Sequence, residues 1–315
     1  MAGKINKMYD LIIIGAGPAA LSAAIYAARY ELSFVVFSKQ FGGMITESDR
    51  VENWPGEKRI TGLDLMNKFK EHALSFGAEI IEETVEKIDK VEKTEKTEKK
   101  GIRFRVNDNY ESKMVLVAQG TEKRKLNVGG EKEFAGRGVS YCATCDASFF
   151  RNKTVCVVGG NDSSAIAALL LSEFADKVYV IYRKEKIRAE PILIERIEKN
   201  SKITIINNTN ITKIKGENVV KSVLLDNSFN NSKELPVDGV FVEIGSEPDT
   251  KIVAQLGVKL ENGYVKTDQA QKTSIKGVYA AGDITTNSNM FQQVITAAAE
   301  GAVAVNAIYE ELKKS

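Results

Sequence analysis

Two of the chain's three cysteines stand in Cys142-Ala143-Thr144-Cys145, followed directly by Asp146. A Cys-x-x-Cys spacing holds two sulfurs close enough to interchange between dithiol and disulfide with little backbone movement. The rival use of such a pair is structural zinc, which needs four ligands. Beyond the pair the chain offers only Cys156 and His72. Cys156 lies in the apolar run Val155 to Val158 and reads as an inert core residue, so no metal is expected. Asp146 has two readings that stay open: a proton shuttle during thiol exchange, or the N-cap of a helix.

The segments around the pair supply what redox chemistry needs. Tyr9 to Ile14 reads as a strand and Gly15-Ala16-Gly17-Pro18-Ala19-Ala20 as a turn. A helix to about Tyr30 and a strand from Ser33 to Phe37 complete a βαβ opening. Gly15 permits the tight turn, Gly17 removes the Cβ that would block a pyrophosphate, and Ala20 lets helix and strand pack closely. Phosphates would meet the open amides and positive dipole end of that helix. No acidic ribose ligand follows the second strand, where Ser38 and Lys39 stand. An adenine dinucleotide held by other contacts therefore fits better than a standard NAD site.

A second unit runs from Thr154 to Val158, through Gly159-Gly160-Asn161-Asp162-Ser163-Ser164, along a helix to about Phe174 and into a strand from Lys177 to Tyr182. Asn161 replaces the middle glycine of the pattern; it tolerates the left-handed region, though its side chain would crowd a pyrophosphate. Past the second strand, Arg183, Lys184 and Arg188 suit a 2′-phosphate. A solvated basic loop over a nucleotide-free remnant is the alternative. Further strands are expected at Ile102 to Val106, Lys113 to Ala118 and Gly277 to Ala281, and helical spacing runs from about Met290 to Leu312. Glu82 to Lys100, almost wholly Lys, Glu, Thr and Val, reads as an exposed hairpin or sheet edge.

Bulk properties narrow the function classes. At 315 residues, two domains are expected. The balance of 44 basic against 42 acidic residues leaves no electrostatic footprint for nucleic acid or an anionic membrane. Three cysteines in a chain of this length form no disulfide framework, which favours a reducing, cytoplasmic setting. Leu11 to Ala28 is apolar enough to imitate a membrane span, but Gly15, Gly17 and Pro18 after a β-branched run mark a buried βα unit.

Taken in order, the motifs GAGPAA at 15–20, GG at 42–43, VENWPG at 51–56, FAGRGVSYCATCD at 134–146 and GVYAAGD at 277–283 closely resemble those of the low-molecular-weight thioredoxin reductases, the bacterial and archaeal type. The resemblance covers nearly the whole chain. It implies an α/β fold of two Rossmann-like dinucleotide-binding domains, of the class II pyridine nucleotide-disulfide oxidoreductase kind. The FAD domain would be discontinuous, 1–120 and 248–315, and the NAD(P)H domain, 121–247, would carry the cysteines. FAD would be held by Gly15, Gly17, Pro18, Ala19, Gly42, Gly43, Asn53, Ala118, Gly120, Gly282, Asp283, Gln292, Gln293 and Val294. NADPH would be held by Gly160, Asn161, Asp162, Ser163, Arg183, Lys184 and Arg188. Cys142 and Cys145 would form the redox disulfide, with Cys145 nearer the flavin and Asp146 as proton donor to the leaving thiolate. A helix starting near Gln293 would aim its N-terminus at the flavin.

Departures gather at the cofactors. Members commonly have Gln at Met44, Thr at Gln119, Arg-Gln at Gln292-Gln293 and His-Arg-Arg at Tyr182-Arg183-Lys184, while Arg188 is kept. The implied activity is thioredoxin-disulfide reduction, with electrons passing from NADPH through FAD and the cysteine pair to a thioredoxin-like protein. NADH or ferredoxin as the electron source, a non-enzymatic redox sensor and a flavin oxidase are the competing readings. A homodimer is implied by the resemblance alone. Rotation about Gly120 to Lys125 and Gly245 to Asp249 would let the cysteines alternate between flavin and partner.

Overall fold

The computed structural model describes residues 8–48, 51–91 and 103–314. It divides into two compact units, Met1–Glu122 with Pro248–Ser315, and Lys123–Glu247.

The first unit opens with β1 (Met8–Ile14), α1 (Pro18–Arg29), β2 (Phe34–Phe37), α2 (Gly62–Ser75), β3 (Ile80–Ile81), β4 (Ile88–Val91), β5 (Arg103–Val106), β6 (Tyr110–Val117) and β7 (Thr121–Lys123). β1 pairs in parallel with β2 and β6, while β4, β5 and β6 are joined antiparallel. The alternating residues of β1 explain its unbroken hydrophobic run. Leu11 and Ile13 enter one core with the alanines of α1, and Ile12 and Ile14 enter another with Phe37, Phe104 and Val117. A parallel sheet covered on both faces requires apolar residues at every position. Of the charged stretch from Glu82, β4 does form a sheet edge, and 92–100 lies outside the described residues.

The second unit contains β8 (Val139–Ser140), α3 (Ala143–Asp146), β9 (Thr154–Val158), α4 (Asp162–Phe174), β10 (Lys177–Ile181), α5 (Pro191–Glu198) and β11 (Ile203–Ile206). It continues with β12 (Ile211–Gly216), β13 (Val220–Phe229), β14 (Ser232–Pro236), β15 (Gly239–Val242) and β16 (Ser246–Pro248). Five strands align as β11-β10-β9-β15-β8, all in parallel. Val155, Val157 and Phe241 face α4 and α5, whereas Cys156, Val158 and Val240 face the antiparallel β12-β13-β14 layer.

The chain returns to the first unit through α6 (Lys251–Gln255), β17 (Leu260–Glu261), β18 (Tyr264–Val265), β19 (Val278–Ala280) and α7 (Val294–Leu312). β19 adds in parallel to β6. The sequence places the first crossing after residue 120; the compact units divide after Glu122. Backbone pairing accounts for the shift: Asp249 N–H donates to Gly120 within the first unit, and Arg124 N–H donates to Gly245 within the second. The last helix also begins later than its apolar spacing suggests. Ser288, Asn289 and Met290 all have positive φ, and Gln293, extended at φ −132°, caps α7. No helix among the described residues is long and apolar enough to cross a membrane.

α1 and α7 touch backbone to backbone at Gly301, where an added Cβ would lie 2.0 Å from the Ala19 carbonyl oxygen. Gly301→Ala gains about 1 kcal/mol of helix propensity. Forcing the helices apart costs more, about 1–3 kcal/mol. A net loss of stability is therefore expected in urea unfolding; an unchanged or raised midpoint would refute this account of the contact.

Candidate functional site

In the second unit, Cys142 and Cys145 are joined as a disulfide, with Cα atoms 5.3 Å apart. The single turn of α3 makes this possible, since it brings a residue and its third successor onto one side. Cys142 occupies the N-cap position, and its Sγ accepts the Cys145 backbone N–H at 3.1 Å. Ser140 Oγ accepts the Cys142 N–H at 3.0 Å, fixing the entry to the turn. Cys145 is exposed and Cys142 half-buried. Asp146 ends α3; its backbone N–H donates to the Cys142 carbonyl, and its side chain makes no capping bond to the following 3-10 turn. Cys156 is fully buried, and burial pushes its thiol well above the usual range.

A clamp on Tyr141, which sequence reasoning missed, steadies this turn. The Tyr141 hydroxyl donates to Glu131 Oε1 at 2.8 Å, and Glu131, 4% exposed, also accepts the Leu126 and Asn127 amides. The Lys125 ammonium lies 4.0 Å from the Tyr141 ring centroid, a cation–π contact. Lys123 Nζ donates to the Tyr141 carbonyl and pairs with the buried Glu243 at 3.4 Å. Burial and then the Glu131 carboxylate raise the pKa of the Tyr141 hydroxyl, so it stays a donor.

The turns of the two βα units differ in how open they are. In the first unit, the Gly42 N–H donates to Ala16 O at 2.9 Å and brings Gly42 and Gly43 beside Gly17. A Cβ on Gly17 would find nothing nearer than 3.8 Å, and one on Gly43 nothing nearer than 3.6 Å. Gly17 caps α1 without a side chain, Pro18 and Ala19 begin the helix, and its first turn carries no acidic residue. Gly282, whose Cβ would meet Ala19 Cβ at 3.0 Å, delivers Asp283 to the same end of α1. Ala118 closes β6 beside Gly15, followed by Gln119, whose buried Oε1 has no hydrogen-bond partner among the described residues, and Gly120 at φ +70°. Asn53 Nδ2 donates to Gln293 Oε1 at 3.0 Å, next to Val294 at the start of α7, and Gln292 Nε2 donates to the Asp283 carbonyl. An open glycine cradle, uncommitted helix amides and an orphaned buried oxygen fit a large polar group carrying phosphates.

Asp283 is pushed up to about 6, by burial first and then by the neighbouring Glu300 carboxylate. Glu300, 6% exposed, is a second residue the sequence reading passed over. It accepts the Gly282 N–H at 2.8 Å and the Thr285 and Ser288 hydroxyls, and so holds the loop carrying Asp283. Its sequence signal was a lone acid inside the apolar helix AAAEGAVAV.

In the second unit, Asn161 has φ −107°, so left-handed tolerance is not what it contributes. Its Oδ1 accepts the Ser164 N–H at 3.1 Å and caps α4; the side chain that the sequence set against a pyrophosphate is folded onto the helix. Gly160 faces the Tyr182 ring, two of whose carbons would lie 2.5 Å from an added Cβ. Asp162 Oδ1 accepts the Glu190 N–H at 2.7 Å, while Ser163 is exposed. Arg183, Lys184 and Arg188 are all exposed past the end of β10, a cationic group that fits a phosphate-bearing nucleotide.

These features define a dinucleotide-linked disulfide protein, and the sequence profile of the pyridine nucleotide-disulphide oxidoreductases matches residues 9–301. The chain belongs to that family, which implies binding of a flavin and a pyridine nucleotide. Within it, the chain is 39% identical over 320 residues to a thioredoxin reductase of Bacillus subtilis (strain 168), covering 98% of each chain. It is 42% identical over 305 residues to one from Treponema pallidum (strain Nichols), covering 95% of each. The crystal structure of Lactococcus lactis thioredoxin reductase in its FR conformation superposes with a TM-score of 0.89 at 34% identity, over 98% of this chain and 100% of that one.

Asp283 binds its proton more tightly folded than unfolded. Its contribution to stability is full below its ordinary value of 3.8 and is lost as pH rises through about 6. In cofactor-free protein, Asp283→Asn should raise stability at pH 7–8, by at most about 3 kcal/mol, and flatten the pH dependence between these values. Thermal melts from pH 4 to 8 read this directly; parallel wild-type and variant curves would contradict it.

Proposed function

We propose that this chain is a thioredoxin-disulfide reductase. The first unit would hold FAD at Gly15, Gly17, Gly43, Asp283 and Gln293, and the second would take NADPH at its basic group. The observation that carries the reading is the Cys142–Cys145 disulfide on a one-turn helix, with an exposed sulfur residue, in a chain whose relatives reduce thioredoxin. Bound flavin and nucleotide would supply the two electrons that, with two protons, convert this disulfide to a dithiol.

The chain's own groups account for the remainder. Reduction frees Cys142 Sγ to carry negative charge while it accepts the Cys145 N–H, an interaction that favours the thiolate. One cysteine thiolate attacks the substrate disulfide, a mixed disulfide forms, and one substrate sulfur leaves as a thiolate. Asp146, attached to the end of the same turn, would take up the proton that the attacking thiol gives up and deliver it to that leaving sulfur. The second cysteine then attacks the mixed disulfide, releasing the other substrate sulfur and restoring the Cys142–Cys145 bond. The Tyr141 clamp holds the incoming strand, so the two sulfurs meet again without a search.

Cys142→Ser and Cys145→Ser should each abolish thioredoxin reduction, leaving less than about 0.1% of turnover. Each should still show NADPH-dependent loss of flavin absorbance. The variant that retains the attacking cysteine should trap a mixed disulfide with a thioredoxin lacking its resolving cysteine. Thioredoxin reduction at wild-type rate by either variant would overturn the proposal. Parallel anaerobic titrations with NADPH and NADH test the donor, and bleaching by reduced ferredoxin alone would replace that part of the reading.

A further inference from the structure

We propose that Tyr182 is a positioning residue for recognition of the donor's 2′-phosphate, acting through Arg188. The inference rests on the assignment of the basic group in the second unit to a phosphate-bearing pyridine nucleotide.

Three contacts carry it. The Tyr182 hydroxyl, on a side chain only 7% exposed, accepts the Arg188 Nε–H at 3.0 Å. The Arg188 backbone N–H donates to the Gly160 carbonyl at 2.5 Å, which ties this arginine to the glycine turn. Asp162 accepts the Glu190 N–H and fastens the same loop to the start of α4. The loop following β10 is thereby stapled twice to the dinucleotide turn, and the Tyr182 ring lies against Gly160 beneath it.

A guanidinium has five N–H donors in one plane. Committing Nε to Tyr182 fixes that plane and leaves the two terminal nitrogens together on the outer edge, the pair that meets two phosphate oxygens at once. Arg183 and Lys184 are exposed beside it and add charge. Arg188 is the member of the group whose side chain is held in place by a buried partner. Ordering a long flexible side chain weakens binding, and a prepaid order removes that cost. The hydroxyl of Tyr182 thus sets how well the chain distinguishes a nucleotide with a 2′-phosphate from one without.

The test uses the flavin-loaded enzyme and equilibrium titration with NADP⁺ and NAD⁺. Tyr182→Phe keeps the ring against Gly160 and removes only the hydroxyl. It should weaken NADP⁺ binding roughly two- to tenfold and change NAD⁺ binding less than about twofold. The KM for NADPH should rise in proportion. In Tyr182→Phe/Arg188→Ala, no loss beyond that of Arg188→Ala is expected, because the hydroxyl acts through the guanidinium. Equal weakening for both nucleotides, additive losses in the double variant, or unchanged NADP⁺ affinity would each overturn the inference while leaving the donor assignment intact. A wild-type enzyme that binds NADP⁺ no better than NAD⁺ would instead remove the assignment, and the inference with it.

Discussion

Both units are organised by one steric constraint: the glycine that ends the first strand of each βα unit presses against backbone from another strand's end. At Gly15 a Cβ would sit 2.2 Å from the Ala118 carbonyl oxygen, and at Gly159 it would sit 2.1 Å from that of Glu243. Both glycines have positive φ, +118° and +150°. No side chain fits there, so the turn can descend until the following helix points its first amides over the strand ends. The rest of each site depends on this descent. In the first unit it draws Gly42, Gly43 and Asp283 to the start of α1; in the second it sets Glu243, and through it Lys123, beneath the strand leading to the cysteines.

The same turn has been put to two different uses. Around Gly17 the helix end is bare, and open space lies beside the glycines. Around Gly160 the chain supplies its own occupants: Asn161 caps the helix, Asp162 binds the returning loop and Tyr182 covers the glycine. One helix amide there is already satisfied by a side chain, so more of nucleotide recognition falls to the cations past β10. Buried charge is handled consistently elsewhere. Glu131, Glu243 and Glu300 are each under 9% exposed, and each is answered by amides, hydroxyls or a lysine. Such satisfied carboxylates fix geometry, because removing any one partner leaves a costly group behind.

Much of this was legible in the residues. The strands β1 and β9, the glycine turns and the helices after them follow from short-range pattern, and the Cys-x-x-Cys spacing carries its chemistry in four residues. The start of α7 shows where pattern misleads. Met290 and Phe291 continue the apolar spacing of the helix, yet both are exposed. Thr296 Oγ1 donates its one proton to the Phe291 carbonyl at 2.7 Å and accepts the Gln293 N–H, so a side chain in the first turn decides where the helix begins. Asn161 misled differently, since its residue type admits both a left-handed turn and a cap, and only its φ separates the two.

The two βα units, the redox pair and the cationic end of the second unit can be read from the residues alone, because each is set by residues within a few positions of one another. Only in the folded chain does it emerge which backbone Gly15 and Gly159 touch, that Glu300 answers Gly282, that Glu131 holds Tyr141, and that Tyr182 accepts from Arg188. Those contacts bring together groups on separate elements or across a folded-back loop. Their energies depend on burial and orientation, which no local pattern of residues encodes.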